Sequence, residues 1–222
     1  MCASLGISPW RSVMFVAGTP IGGEDRREAA WRAAVAAVAT ADLFPGCRGV
    51  SLAFTLEPGR RVGIDNLARP VLAGLRDAGW FARGFSTLDH LLVTKSAGTT
   101  VGVAVDVVPG VVASASEPAL QLALKGIVPG PGNREHLRLW RDAVASTWQK
   151  PALTGPINVE IEVDTRRSLV DLMKPIIDGL EPILGRDPWG TNEFSPLDDT
   201  IVRLMVRRRP GELSLLVRVS PG

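Results

Sequence analysis

The sequence predicts an α+β fold made of two tandem β-α-β-α-β-β units, packed about a pseudo-twofold axis as a fused dimer. Three observations carry that expectation. The stretch Asp65 to Leu75 recurs after a shift of 105 residues, so that Leu67, Pro70, Gly74 and Leu75 return as Leu172, Pro175, Gly179 and Leu180, and Arg69 returns as Lys174. A repeat of this kind outranks other readings of a chain. Trp31-Arg32 and Ala34-Val35 are echoed by Trp140-Arg141 and Ala143-Val144, and the apolar runs give the same element order in both halves. The units span 12–108 and 119–222, and each half of about 105 residues is long enough to bury a core. Val108 to Pro118 is the expected linker, rich in small and turn-forming residues. Like halves on one chain pack as an isologous dimer does, so a monomeric chain is expected.

Ser12 to Ala17 is a β-branched apolar run stopped by Gly18-Thr19-Pro20, a strand entering a turn. Glu24 to Thr40 is rich in Ala, Arg and Glu, with Trp31 and Val35 four apart, which predicts a helix. Gly49 to Leu56 alternates as a strand, and the repeated motif opens a second helix ending near Ala78. Leu88 to Val108 gives two strands around a Gly-Thr turn. In the second half Leu120 to Lys125 is a strand, Asn133 caps the next helix, and Ile157 to Val163 alternates strictly, with Glu160 and Glu162 on one face. The motif follows, then an insertion holding Pro188-Trp189-Gly190. Asp199 to Arg207 and Leu213 to Val219 close the half as strands.

Composition narrows the class further. Among 222 residues, 45% hydrophobic and 22% charged are the values of an ordinary globular protein. A net charge of +2 does not by itself point to nucleic acid or membrane, although 21 Arg stand against four Lys. Cys2 and Cys47 have no metal-ligand spacing and make no disulfide framework. No run reaches the length of a membrane span, and Met1 to Arg11 reads as a loose leader rather than a signal peptide, so a cytoplasmic protein is expected.

Several polar residues have both a structural and a functional reading. Asp65, Asn66, Ser168 and Asp171 sit where helix N-caps are expected, and Pro70 and Pro175 suit a first helical turn. Asp89, Asp198 and Asp199 suit loop ends. His90 and His136 lie in different halves with no shared ligand spacing. Trp31, Trp140 and Trp148 sit at helical core positions, whereas Trp80, beside Gly79, is the best candidate for stacking on a nucleobase. Arg60-Arg61 and Arg166-Arg167 precede the two motif copies, and Arg207-Arg208-Arg209 form a third cluster with Arg203 nearby. Such pairs are either solvated loop charges or a shared phosphate-binding face.

The order β-α-β-α-β-β, with Asp-Asn-Leu and a basic residue opening the second helix and an acidic residue opening the next strand, resembles the RusA-like Holliday-junction endonucleases. That family carries D-x-D-N-x-x-K, a helix ending near a Gly-aromatic pair, then D-D before a strand. The first half matches at Gly63 to Arg69, Arg76 to Phe81 and Leu88 to Val93, and the second at Ser168 to Lys174 and Leu197 to Val202. The resemblance implies a Mg²⁺-dependent homodimer that cuts branched DNA, here fused into one chain. It assigns Asp65 and Asp89 as metal ligands, with Arg69, Lys174 and Asp199 in catalytic positions. Arg60, Arg61, Asn66, Arg166, Arg167, Arg207, Arg208 and Arg209 would lie on the DNA face. The departures are as clear: Gly63 and Ser168 replace the family's first acid, and Val170 replaces its second in the latter half. The expectation is binding of branched or structured DNA with weak Mg²⁺-dependent cleavage at the first site and none at the second. The alternative is a catalytically inactive interaction module, a partner subunit in a phage-related or defence complex.

Overall fold

A computed structural model describes residues 14–23, 25–39, 48–108, 117–211 and 214–222. Cys2, Cys47, the expected leader and most of the expected linker lie outside them. In chain order the elements are β1 (Met14–Ala17), α1 (Glu28–Val38), β2 (Gly49–Leu56), α2 (Ile64–Asp77), β3 (Ala82–Phe85), β4 (His90–Ala97) and β5 (Gly102–Val107), followed by β6 (Leu120–Leu124), α3 (Arg134–Thr147), β7 (Ile157–Val163), α4 (Leu169–Asp178), α5 (Glu181–Leu184), β8 (Ile201–Arg208) and β9 (Leu215–Pro221). A 3-10 turn, Asp198–Thr200, leads into β8. The protein is mixed α+β, with five helices and one eight-stranded mixed sheet among the described residues.

The strand order is β1-β5-β2-β4-β8-β7-β9-β6. Read inward from either end, the two sets of four strands have the same connectivity. β1–β5 and β5–β2 are antiparallel and β2–β4 parallel. Likewise β6–β9 and β9–β7 are antiparallel and β7–β8 parallel. Antiparallel pairing of β4 with β8, from His90↔Arg207 to Thr94↔Arg203, joins the halves into a single sheet.

Alternation decides which face carries the core. Val50, Leu52 and Phe54 of β2 lie level with Leu91, Val93 and Lys95 of β4, and Leu91 and Val93 lie level with Val206 and Leu204 of β8. These apolar residues are buried in one cluster with Trp31, Leu67, Leu72, Trp140, Leu172 and Ile176 of the helices. Lys95 and Arg208 therefore end otherwise apolar rows. The motif glycines set how closely the helices approach. A Cβ at Gly74 would stand 2.7 Å from the Arg32 carbonyl oxygen and 2.8 Å from Val35 Cβ, and one at Gly179 would overlap the Trp140 indole. The repeat is thus retained where α1 meets α2 and where α3 meets the end of α4.

The prolines do not occupy the first turn. Each is the seventh residue of its helix, where a missing N–H frees a carbonyl one turn back. For Pro70 that carbonyl is Asn66 O, and the Gly23 N–H donates to it at 2.9 Å. The expected caps also divide. Ser168 caps α4, accepting from the Asp171 N–H at 3.3 Å, and Asn133 caps α3, accepting from His136 at 3.0 Å. Asp65 is not a cap: it is the second residue of α2, whose N-cap is Gly63.

Candidate functional site

Asp65 is the buried charge around which the first motif closes. Its position near the start of α2 places it at the C-terminal end of β2 and β4, and it is 0% exposed. Neither carboxylate oxygen has a hydrogen-bond partner of good geometry. Burial pushes its pKa above the ordinary carboxylate value, against the pull of Lys174, the amides of Asn66 and Asp65, and Arg69. The groups that act on it come from both halves. Lys174 of α4 bonds Asp178 at 3.1 Å. Burial opposes its charge, but Asp178 and Asp65 outweigh this and hold the ammonium above its usual value. Burial also raises Asp178, aided by Asp65 and opposed by Lys174.

Asp198 completes this cluster from the 3-10 turn before β8. Its carboxyl fills the space beside Gly63, where a Cβ would stand 2.8 Å from it. Gly63 is the position that would carry the first acid of the motif, so a carboxylate from the second half occupies the place that glycine leaves open. Burial, then the charge of Asp65, pushes Asp198 up to about 7, against Lys174 and Lys95. Lys95 ends the apolar row of β4 and donates to the carbonyls of Val62 and Asp199, both at 2.7 Å. Burial drives its pKa down to about 8 despite Asp199, Asp198 and Asp65. One ammonium thus ties the loop before α2 to the turn before β8.

Asp89 is not part of this cluster. It precedes β4, whereas Lys95 lies six residues further along that strand, about 20 Å at roughly 3.3 Å per residue. Asp89 is held by Arg48 at 2.5 Å, and Arg208 lies 3.6 Å away. The expected Asp65–Asp89 metal pair is therefore not assembled, because parallel β2 and β4 start together and the helix after β2 begins at their far ends. Of the other expected catalytic residues, Lys174 and Arg69 act on Asp65, while Asp199 pairs with Arg61.

The expected DNA-face arginines divide in the same way. Arg166 and Arg167 are exposed, and Arg61 is exposed while paired to Asp199. Arg60 donates to the Pro20 carbonyl. Arg207 and Arg209 are held by Glu162 at 2.5 and 2.8 Å, and Arg218 also reaches Glu162 at 2.5 Å. Burial disfavours the Glu162 charge, but the three guanidiniums outweigh it and hold the pKa at about 2. Arg208 donates to the carbonyls of Leu88, Ser86, Arg167 and Thr165. Arg207 and Arg208 are thus partly buried and held by Glu162 and by carbonyls, while Arg209 pairs with Glu162 and stays exposed. Trp80 is 1% exposed and unavailable for stacking, while Trp31, Trp140 and Trp148 are buried in the core as expected.

Two clefts flank the cluster. One, of about 290 Å³, lies among Arg69, Arg134, Lys174, Asp178 and the Gly130-Pro131-Gly132 loop. The other, of about 340 Å³, is lined by Arg61, Gly63, Asp198, Asp199, Leu197 and Trp189. No group of three or more His, Cys, Asp or Glu among the described residues is placed to hold a metal. Two carboxylates with water and substrate phosphate suffice for Mg²⁺; Asp65, with neither oxygen in a hydrogen bond of good geometry, and Asp198, raised by the Asp65 charge, are the pair within electrostatic reach of one another.

Sequence reasoning missed Lys95 and Asp178 and held Asp198 only as the neighbouring possibility to Asp199 for the motif's third acid. A lysine on the core-facing row of an apolar strand was a readable signal for the first. The i,i+4 spacing of Lys174 and Asp178 was one for the second. No helix among the described residues is long and apolar enough to cross a membrane. Compared with known proteins, the chain matches no family model and no curated sequence.

Proposed function

We propose that the chain is a divergent tandem fusion of two RusA-like units, a pseudo-twofold fused dimer, that binds branched or structured DNA and has weak Mg²⁺-dependent endonuclease activity at Asp65 and Asp198. The observation that carries this reading is the carboxylate of Asp65, buried with no hydrogen-bond partner of good geometry and within electrostatic reach of Asp198 from the other half. A buried charge so placed costs stability, and a cation held by it accounts for its presence. Asp65 and Asp198 would be the protein ligands, and Mg²⁺ bound there supplies orientation and activation of a water and neutralisation of the leaving oxygen. Lys174 and Arg69 hold positive charge where phosphoryl oxygens become more negative in the transition state. Lys95 fixes the two segments that carry the carboxylates. Exposed Arg61, Arg166 and Arg167 supply phosphate contacts. The test is a gel shift and cleavage assay on four-way junctions in Mg²⁺ or Mn²⁺. Binding is expected, with slow cleavage abolished by Asp65→Asn and by Asp198→Asn while binding persists. Absence of both binding and cleavage overturns the proposal.

A second reading, a non-catalytic interaction module, is favoured by one feature. Lys95 and Lys174 already place two ammonium groups around Asp65. A chain that co-purifies with a protein partner and ignores DNA at low salt would establish it.

A further inference from the structure

Pro188-Trp189-Gly190 sits at the tip of a braced loop. Arg186 and Pro196 form an antiparallel bridge at its base. Above it the Asp187 N–H donates to Ser195 O at 2.7 Å, the Gly190 N–H to Asp187 O at 3.1 Å, and the Trp189 N–H to Asp187 Oδ1 at 3.0 Å. Arg186 spans the loop, donating to the carbonyls of Asn192 and Glu193 and to buried Glu181 at 2.9, 3.0 and 3.0 Å. Glu181 in turn accepts from the Ser195 N–H at 3.0 Å. A Cβ at Gly190 would overlap the Ser195 side chain, so the tip is closely packed. All this bracing presents an indole that is 87% exposed, whereas Trp31, Trp80, Trp140 and Trp148 are at most 8% exposed. An isolated exposed leucine requires no explanation, but an indole held out by a hydrogen-bonded scaffold does.

Trp189 lines the 340 Å³ cleft that also contains Arg61 and Asp198. Pro188, Pro196 and Leu197 make its apolar wall. Two of the carboxylates present already have partners: Asp187 accepts from the Trp189 amide and Asp199 pairs with Arg61. The Arg61 side chain is 71% exposed, which leaves its outer edge for an anion. An aromatic face, an apolar wall and one outward cation in a volume at the lower limit of ligand pockets suit a single nucleotide rather than a duplex.

Resting on the DNA-binding reading above, we propose that Trp189 stacks on an unpaired nucleobase of the bound strand, with the adjoining phosphate on Arg61. This places the strand beside Asp198 and makes single-stranded or unpaired DNA the substrate class this end of the protein selects. The test is fluorescence anisotropy with a short fluorescein-labelled oligothymidine and a fully paired duplex, using the parent chain, Trp189→Ala and Trp189→Phe. The Ala variant should bind the single strand roughly 10- to 100-fold more weakly, with duplex binding and thermal midpoint unchanged and the Phe variant close to parent. If the parent binds DNA and Trp189→Ala binds the single strand equally well, the stacking role is overturned while the proposed function stands. Equal losses for the Phe and Ala variants also overturn stacking. If the parent binds neither probe, nor four-way junctions, both proposals fall.

Discussion

The two ends of the β4–β8 pair are built alike and finished differently. At one end Lys95 ties Val62, before α2, to Asp199, before β8. At the other Arg208 ties Thr165 and Arg167, before α4, to Ser86 and Leu88, before β4. Each uses a cation at the end of an apolar row to gather loop carbonyls from both halves. The first end keeps Asp65 buried and unpartnered, with Asp198 beside it. The second has Val170 where the motif would place that acid, and its Asp89 is paired with Arg48. The lesson is that one scaffold tolerates either a frustrated polar cluster or a satisfied one. Keeping the frustrated one requires a reason beyond folding.

The contrast is most sharply broken at Arg208. Truncation by Arg208→Ala strips hydrogen bonds from four carbonyls and a cation from beside Asp89. It should lower stability by about 3 kcal/mol, read as a fall in the urea midpoint without a change in slope. Next in size is the reverse manipulation. Asp65→Val copies the residue at the matching point of the second half and removes a desolvated charge. It should raise stability by about 1 to 2 kcal/mol and abolish junction cleavage. A destabilised variant would mean that Asp65 is a structural counter-ion to Lys174.

A third test is a pH signature of the first end alone. The folded pKa of Asp198 is raised to about 7, so the folded state holds a proton that the unfolded state has released. The stability this contributes is present at low pH and declines as pH rises from about 4 to about 7. Asp65 is shifted in the same direction by burial. Lys95 is depressed to about 8, so its penalty, present at neutral pH, is relieved as pH rises from about 8 towards 10.5. Thermal midpoints across this range should show a trough near neutrality that Asp198→Asn makes shallower on its acid side. A profile unchanged by Asp198→Asn would remove Asp198 from the cluster.

Periodicity made most of the fold legible. Strand β2 and helix α2 follow from alternation and from an amphipathic stripe, and each motif glycine marks a close helix approach. The short β3 and the α5 insertion were not legible, since four-residue elements carry too little pattern. The pairing of α2's first turn with the turn before β8 was not legible either. The family resemblance pairs Asp65 with Asp89 of its own half. The antiparallel joint instead brings Asp198 across from the other half. Likewise the basic cluster of Arg207 and Arg209 is neutralised in part by Glu162, buried between them in the neighbouring strand.

The joint has a consequence for how the chain avoids sticking to itself. The outermost strands, β1 and β6, have only four and five residues, whereas β4 and β8, at the centre, have eight each. The eight-residue rails β2, β4 and β8 thus lie inside the sheet, and short ones face the outside, where unpaired amides invite aggregation. Severing the halves would turn a protected central strand into a long, bare edge. Carrying both halves on one chain therefore keeps that edge covered at any concentration, as separate subunits could do only while associated.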